Sequence, residues 1–493
     1  MVKNLFNNFL RKLMIGILIF SIISSILVNF VVNFAVYIEI PKGMKLVANI
    51  LSMSIILLGL SVIYYKRNKI IIRLQKLLNN KNLIIFVLLI SFIIRILWIS
   101  LIKTIPVSDF AIMYNSGKDV FGGIFSCFHG FNYFARFTHD TIPVLYYSLF
   151  FNFNNNPIFL IKLFNVFFST ASVFIMYCIV KELFGYKSAI VSSILFSLFP
   201  PFIMYNSQTL SENMAIPFYL LSIYFFIKYI KNMNKCRWIV FSGLALSFGN
   251  LFRMVGIIFL IAYLMYLIIY KGFKSSVKPI VITVIMFILP LYIISSFLLN
   301  NKITESHLWE PKETVLTSVL KGTNLNSFGF WNEEDSNMPI KYNYDYDKVK
   351  EESIKLIKQR LLHSPIQKVA ALYIGKLSGE VGVSDFGAFQ FTVVSSDKTL
   401  GVKILRYFEF TFLTLITIFY IFLLYFSISG LRKNKTLSTE LNLFLILSLG
   451  FTSFYLISEV QPRYSFISCW TLVIFAVAGL KTNKLINKNS SFN

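Results

Sequence analysis

The residues best suited to chemistry are few and sit in apolar surroundings. A polar stretch, Ile105–Pro157, carries Asp109, Lys118, Asp119, His129, Arg136, His139 and Asp140. Glu212 follows in NSQTLSEN, Arg253 in LFRMVG, and Glu459, Arg463 and Tyr464 in SEVQPRYSF. A carboxylate facing two or three cations suits one kind of transfer. If the donor is a sugar on a lipid phosphate, the departing phosphate is already a stable anion and needs no general acid. Guanidinium groups aimed at its oxygens are enough. The acceptor hydroxyl needs a base, and a partly desolvated carboxylate can serve. Glycoside hydrolysis would ask instead for a carboxylate pair, one of them acting as the acid.

Each of these residues also has a plainer reading. In PVSDF, Asp109 can cap a helix or act as the base, and the roles are compatible. Glu212 can cap the helix after SEN or take a metal or substrate role. Arg253, Arg463 and Lys162 at span ends can be anchors whose charged heads reach for water, the favoured reading for Lys162. His129 and His139 lack a third ligand at metal spacing, so a bound divalent cation is not supported by the spacing. Arg95 lies inside an apolar run, where a charge must pair or face a cavity.

The composition sets where these groups must work. Of 493 residues 56% are hydrophobic and 14% charged, against about 25% charged in soluble domains. The mean hydropathy is +0.69. The chain therefore reads as an all-α polytopic membrane protein. The net charge of +25 does not imply nucleic acid, because no continuous basic face is present. Many basic residues fall instead in short links, whose counterions are anionic membrane lipids. The four cysteines are too scattered for a metal site or an arguable disulfide.

Twelve apolar runs are expected to span the membrane: Met14–Ile38, Met44–Tyr65, Leu83–Ile102, Ile158–Val180, Ser188–Tyr205, Asn213–Tyr229, Trp238–Phe252, Val255–Tyr270, Pro279–Leu299, Ile404–Ser429, Leu441–Ile457 and Tyr464–Leu480. The run at the N-terminus is too long for a cleaved signal and reads as a retained helix. Pro143–Phe153 is too short to cross and is expected as an outer-face juxtamembrane helix. This count puts KRNKIIIRLQK, KELFGYK, KYIKNMNKCR, KGFK, RKNK and the Lys-rich tail on the cytoplasmic side with both termini. It puts Ile105–Pro157 and Asn300–Lys403 outside, with Asp109, Glu212, Arg253 and Arg463. Four regions follow: a two-helix extension (1–82), a core (83–299), an outer loop region (300–403), and C-terminal helices with a tail (404–493). In the third, Pro365 should break one helix and start another.

From residue 83 the chain resembles the GT-C membrane glycosyltransferases, in the branch of bacterial relatives of dolichyl-phosphate-mannose protein mannosyltransferases that includes the lipid A aminoarabinose transferase. The resemblance rests on RILW, SDFAIMYNSGKDV, HDTIPVLYY, TLSENMAIPFYLLSIYFF, LFRMVG, GTNLNSFGFWNEED, IKQRLLHSPIQKVAALYIGKL and QPRYSF, in that order. It implies a cell-membrane enzyme that takes a sugar from a polyprenyl-phosphate donor. The acceptor would be an extracytoplasmic cell-wall polymer, glycolipid or protein, with inversion at the anomeric carbon. It implies Asp109 as the catalytic acidic residue, His139 near the lipid phosphate, and Arg253 and Arg463 as phosphate contacts. Arg136, Glu212 and Tyr464 complete the expected substrate-binding set. The sequence departs from the family where Ser108 precedes a lone Asp109 and where HDTIP replaces His-Pro-Pro. A polysaccharide polymerase or ligase is the alternative. A lipid-sugar flippase or transporter ranks below it, because internal repeats are absent.

Overall fold

A computed structural model describes residues 2–38, 82–394, 399–433 and 439–482, with isolated positions between 47 and 78. The span expected over 44–65 and the tail after 482 lie outside these stretches. The described residues are overwhelmingly helical, and their β structure is limited to isolated bridges such as the parallel one between Phe330 and Val460.

Several helices turn apolar residues outward while holding polar ones inside a largely apolar core. The Leu83–Leu101 helix exposes Ile85, Phe86, Leu89, Ile93 and Leu97 and buries Ser91 and Arg95. That inversion is stable only where the surrounding solvent is hydrocarbon. Small residues let backbones close up where lipid gives no hydrophobic drive. Gly430 of the Glu409–Lys433 helix faces Gly479 of Thr471–Thr482, and a Cβ on Gly430 would lie 2.7 Å from the Gly479 nitrogen.

Among the described residues six helices are long and apolar enough to cross a membrane, seven if one bent pair counts as a single span. The other expected runs take different forms. Arg237–Phe252, Gly256–Tyr266, Leu441–Ile457 and Thr471–Thr482 are shorter apolar helices. The run 188–205 is not one straight span but bends by 62° between Tyr186–Leu198 and Pro201–Ser207. Pro200 explains this by forcing Phe199 into extended backbone, ψ 111°. The run 404–429 also divides, into Leu400–Tyr407 and Glu409–Lys433. Its first part carries Lys403 and Arg406 on an exposed face, which a span would not tolerate.

The outer stretch 105–157 folds into helices Asp109–Phe121 and Thr141–Ser148, packed on each other. The later region holds Tyr346–Leu362 and Ile366–Val381, broken at Pro365 as expected. Ile366–Val381 is not a simple cover. It packs against the Val2–Ile38 helix, where the Ser24 and Ser378 hydroxyls hydrogen-bond, and against Leu441–Ile457.

Candidate active site

Asp109 is the first residue of its helix, and the cap residue before it, Ser108, makes no side-chain capping hydrogen bond. Ser108 before it sits at φ 51°, a strained setting for a residue with a Cβ. The Asp109 carboxylate faces Arg463, Nη2 to Oδ2 3.7 Å. Arg463 lies in the turn Pro462–Ile467, its guanidinium over the rings of Phe110, Phe391 and Tyr464 at 5.0, 5.4 and 5.7 Å. Its Nε has no hydrogen-bond partner.

The Tyr464 ring carries a second cation, Arg253, at 5.6 Å. Arg253 ends the Arg237–Phe252 helix, and its carbonyl accepts the Tyr219 hydroxyl. Its Nε lies 3.4 Å from Glu212 Oε1, while Glu212 Oε2 accepts from Ser211 Oγ at 3.2 Å. Burial opposes the charge on Arg253, but Glu212 and Asp140 outweigh it and hold the guanidinium firmly protonated. Burial likewise opposes Arg463; Tyr464, Glu212 and Asp109 support its charge and Arg253 works against it. Two cations thus share one pocket, each paired through a single long contact rather than a fork. Such an arrangement has donors to spare for an anion.

Five of the residues singled out from the sequence therefore meet: Asp109, Glu212, Arg253, Arg463 and Tyr464. His139 stands at the edge, Nε2 3.5 Å from Asp140 Oδ2 and about a third exposed. Arg136 does not join them. Its Nε and Nη2 donate to Glu313 Oε2 at 2.8 and 2.6 Å, and its guanidinium lies 5.5 Å from the Tyr344 ring centre. Lys162 is not a snorkelling anchor: it is buried and donates to the Thr104 carbonyl at 2.6 Å. Among the described residues no group of three or more His, Cys, Asp or Glu is arranged to hold a metal. Asp109 and Glu212 each face an arginine instead.

The sequence reading missed how Glu459 is held. Lys321 reaches it at 2.6 Å from the far outer region. It also missed the fork from Arg360 to Asp335, at 2.8 and 2.9 Å. Nothing in the spacing signals either pair.

Residues 140–299, 160 of 493 positions, match the family described as dolichyl-phosphate-mannose-protein mannosyltransferase. The match bears out the resemblance read from the motifs. Glu212 and Arg253 lie inside this mannosyltransferase-like segment; Asp109 and Arg463 flank it. No curated protein matches the chain. Among solved structures, the apo oligosaccharyltransferase of Archaeoglobus fulgidus is 11% identical, with a TM-score of 0.45, covering 82% of this chain and 51% of its own. The chain thus spans about half the length of that protein. ArnT from Cupriavidus metallidurans bound to undecaprenyl phosphate is 10% identical, with a TM-score of 0.36, covering 82% and 78%. The protein is a multi-pass, all-α membrane protein.

Proposed function

We propose that the chain is an integral-membrane glycosyltransferase. It moves a sugar from a polyprenyl-phosphate donor to an extracytoplasmic acceptor, which is a cell-wall polymer, a glycolipid or a protein. The observation that carries this reading is the convergence of Arg253 and Arg463 on the Tyr464 ring, 5.6 and 5.7 Å from its centre, with Asp109 beside Arg463. In this reading the two guanidinium groups hold the donor phosphate and stabilise the charge that grows on it as the glycosidic bond breaks. Asp109, the more exposed of the two carboxylates, removes the proton from the acceptor hydroxyl as it attacks from the opposite face, which inverts the anomeric carbon. Glu212 stays with Arg253 at the sugar side. In this reading the basic links and both termini lie on the cytoplasmic side and the pocket faces outward.

The test is transfer or donor hydrolysis with a panel of polyprenyl-phosphate sugars, comparing wild type with Asp109→Asn. A general base of this kind contributes roughly 10²–10⁴-fold. A folded Asn variant that loses at least the lower figure supports the assignment. One that keeps its rate moves the base elsewhere, with Glu212 the next residue to change. A transporter would consume no donor at all.

A further inference from the structure

The turn before the two-arginine pocket is gripped by the outer region 300–403. The Glu459 amide donates to the Ser318 carbonyl at 2.9 Å, and the Val460 amide to the Gly329 carbonyl at 3.0 Å. Lys376, fully buried, donates to the carbonyls of Gly322 and Ser458 at 2.8 and 2.7 Å. These contacts dock the region without using the Glu459 side chain. The Glu459 side chain is therefore free for another task. Its Oε2 is 2.6 Å from Lys321 of the outer region. Its Oε1 accepts from Gln461 Nε2 at 2.8 Å and from the Tyr464 hydroxyl at 3.4 Å. One carboxylate thus has an oxygen on each side of the junction.

The Tyr464 ring lies against both Arg253 and Arg463, 5.6 and 5.7 Å from its centre, and the two like charges oppose each other. A shift of its ring changes how both guanidinium groups present their donors. We propose that Glu459 is a positioning residue: the Lys321–Glu459–Tyr464 link converts seating of the outer region into the spacing of Arg253 and Arg463, and so sets affinity for a lipid phosphate. This rests on reading the pocket as a phosphate site.

The test uses full-length protein in detergent, titrated with undecaprenyl phosphate. Glu459→Ala should weaken binding about tenfold and Lys321→Ala or Tyr464→Phe about threefold, within the usual range for coupled neighbours. The double variant Glu459→Ala with Tyr464→Phe should bind no worse than Glu459→Ala, because the two act in series. Glu459→Gln keeps the Oε1 acceptor and should match Lys321→Ala. A purely structural role lowers the melting temperature and leaves the affinity of the folded protein unchanged. The proposal falls if Glu459→Ala and Lys321→Ala bind like wild type while Arg253→Ala and Arg463→Ala do not. In that case the phosphate site itself stands. If wild type and Arg463→Ala bind the lipid alike, the phosphate site fails and Glu459's role fails with it. Should Glu459→Ala not fold, Glu459→Gln and Lys321→Ala decide.

Discussion

Arg253 and Glu212 meet through one nitrogen and one oxygen at 3.4 Å, with the Glu212 side chain 2% exposed. The carboxylate therefore competes with any anion for the same guanidinium. Glu212→Gln should release that competition. Undecaprenyl phosphate should then bind a few-fold tighter, about 1 kcal/mol, the net worth of an ordinary hydrogen bond, since the 3.4 Å contact is long. Melting should fall, because a buried cation loses its partner. Binding and melting measured on one preparation check both signs; looser binding would assign Glu212 to the ligand rather than to Arg253.

Arg136 is expected to act on the fold rather than on the donor. Its fork on Glu313 joins the first outer loop to the second, alongside Gly130 to Glu305 at 3.0 Å and Thr138 to the Leu308 carbonyl at 2.8 Å. Arg136→Ala should cost about 2 kcal/mol, as for a hydrogen bond to a charged group. Limited proteolysis should then open the 300–403 region sooner. Lipid-phosphate affinity should stay within twofold of wild type, by roughly the scatter of independent distant sites.

Arg95 offers the opposite case. It bonds only to serine groups and backbone: Ser169 Oγ at 2.8 Å, Ser91 Oγ at 2.5 Å, and the carbonyls of Ser91 and Ser197 at 3.1 and 3.2 Å. No carboxylate among the described residues pairs with it. Arg95→Met leaves no counter-charge stranded, so the variant should fold and melt at or above the wild-type temperature. A large loss of stability would show that the serine cage is worth more than the desolvation it offsets.

Glu380 should give a pH signature. Burial pushes its carboxyl well above the usual carboxylate range, against Thr452 and Lys376, which favour charge. The folded protein keeps this proton while the unfolded chain loses it above about pH 4.3. The contribution is thus fully present below that pH and lost as pH rises toward the folded value. Glu380→Gln should melt higher than wild type at pH 8, and the gap should narrow toward pH 5. A gap independent of pH would mean that Glu380 is charged in the fold.

Much of the pocket was legible because its members sit at span ends. Once span parity is fixed by the basic links, Asp109, Glu212, Arg253 and Arg463 must share one face. The break at Pro365 and the helix starting at Leu83 follow from local chemistry that the fold does not override. The partners of Lys162 and Arg95 were not legible, since backbone carbonyls and serines leave no pattern in sequence. The Arg136–Glu313 and Lys321–Glu459 pairs join residues far apart in the chain, and only tertiary structure selects them. Hydropathy gave the apolar runs but not their shape: it does not see the bend at Pro200 or the break at Phe408.

The separation of Asp109 from Arg463 by 354 residues has a consequence in time. At typical rates of synthesis the carboxylate emerges on the order of twenty to seventy seconds before its arginine. Over that interval the half-built pocket holds a carboxylate without its cation, and Phe110 waits for the guanidinium that will cover it. A ribosome that stops anywhere before the last helices releases a protein that is threaded through the membrane yet has no complete site. If this pocket is where transfer takes place, the cell would risk none from an unfinished copy.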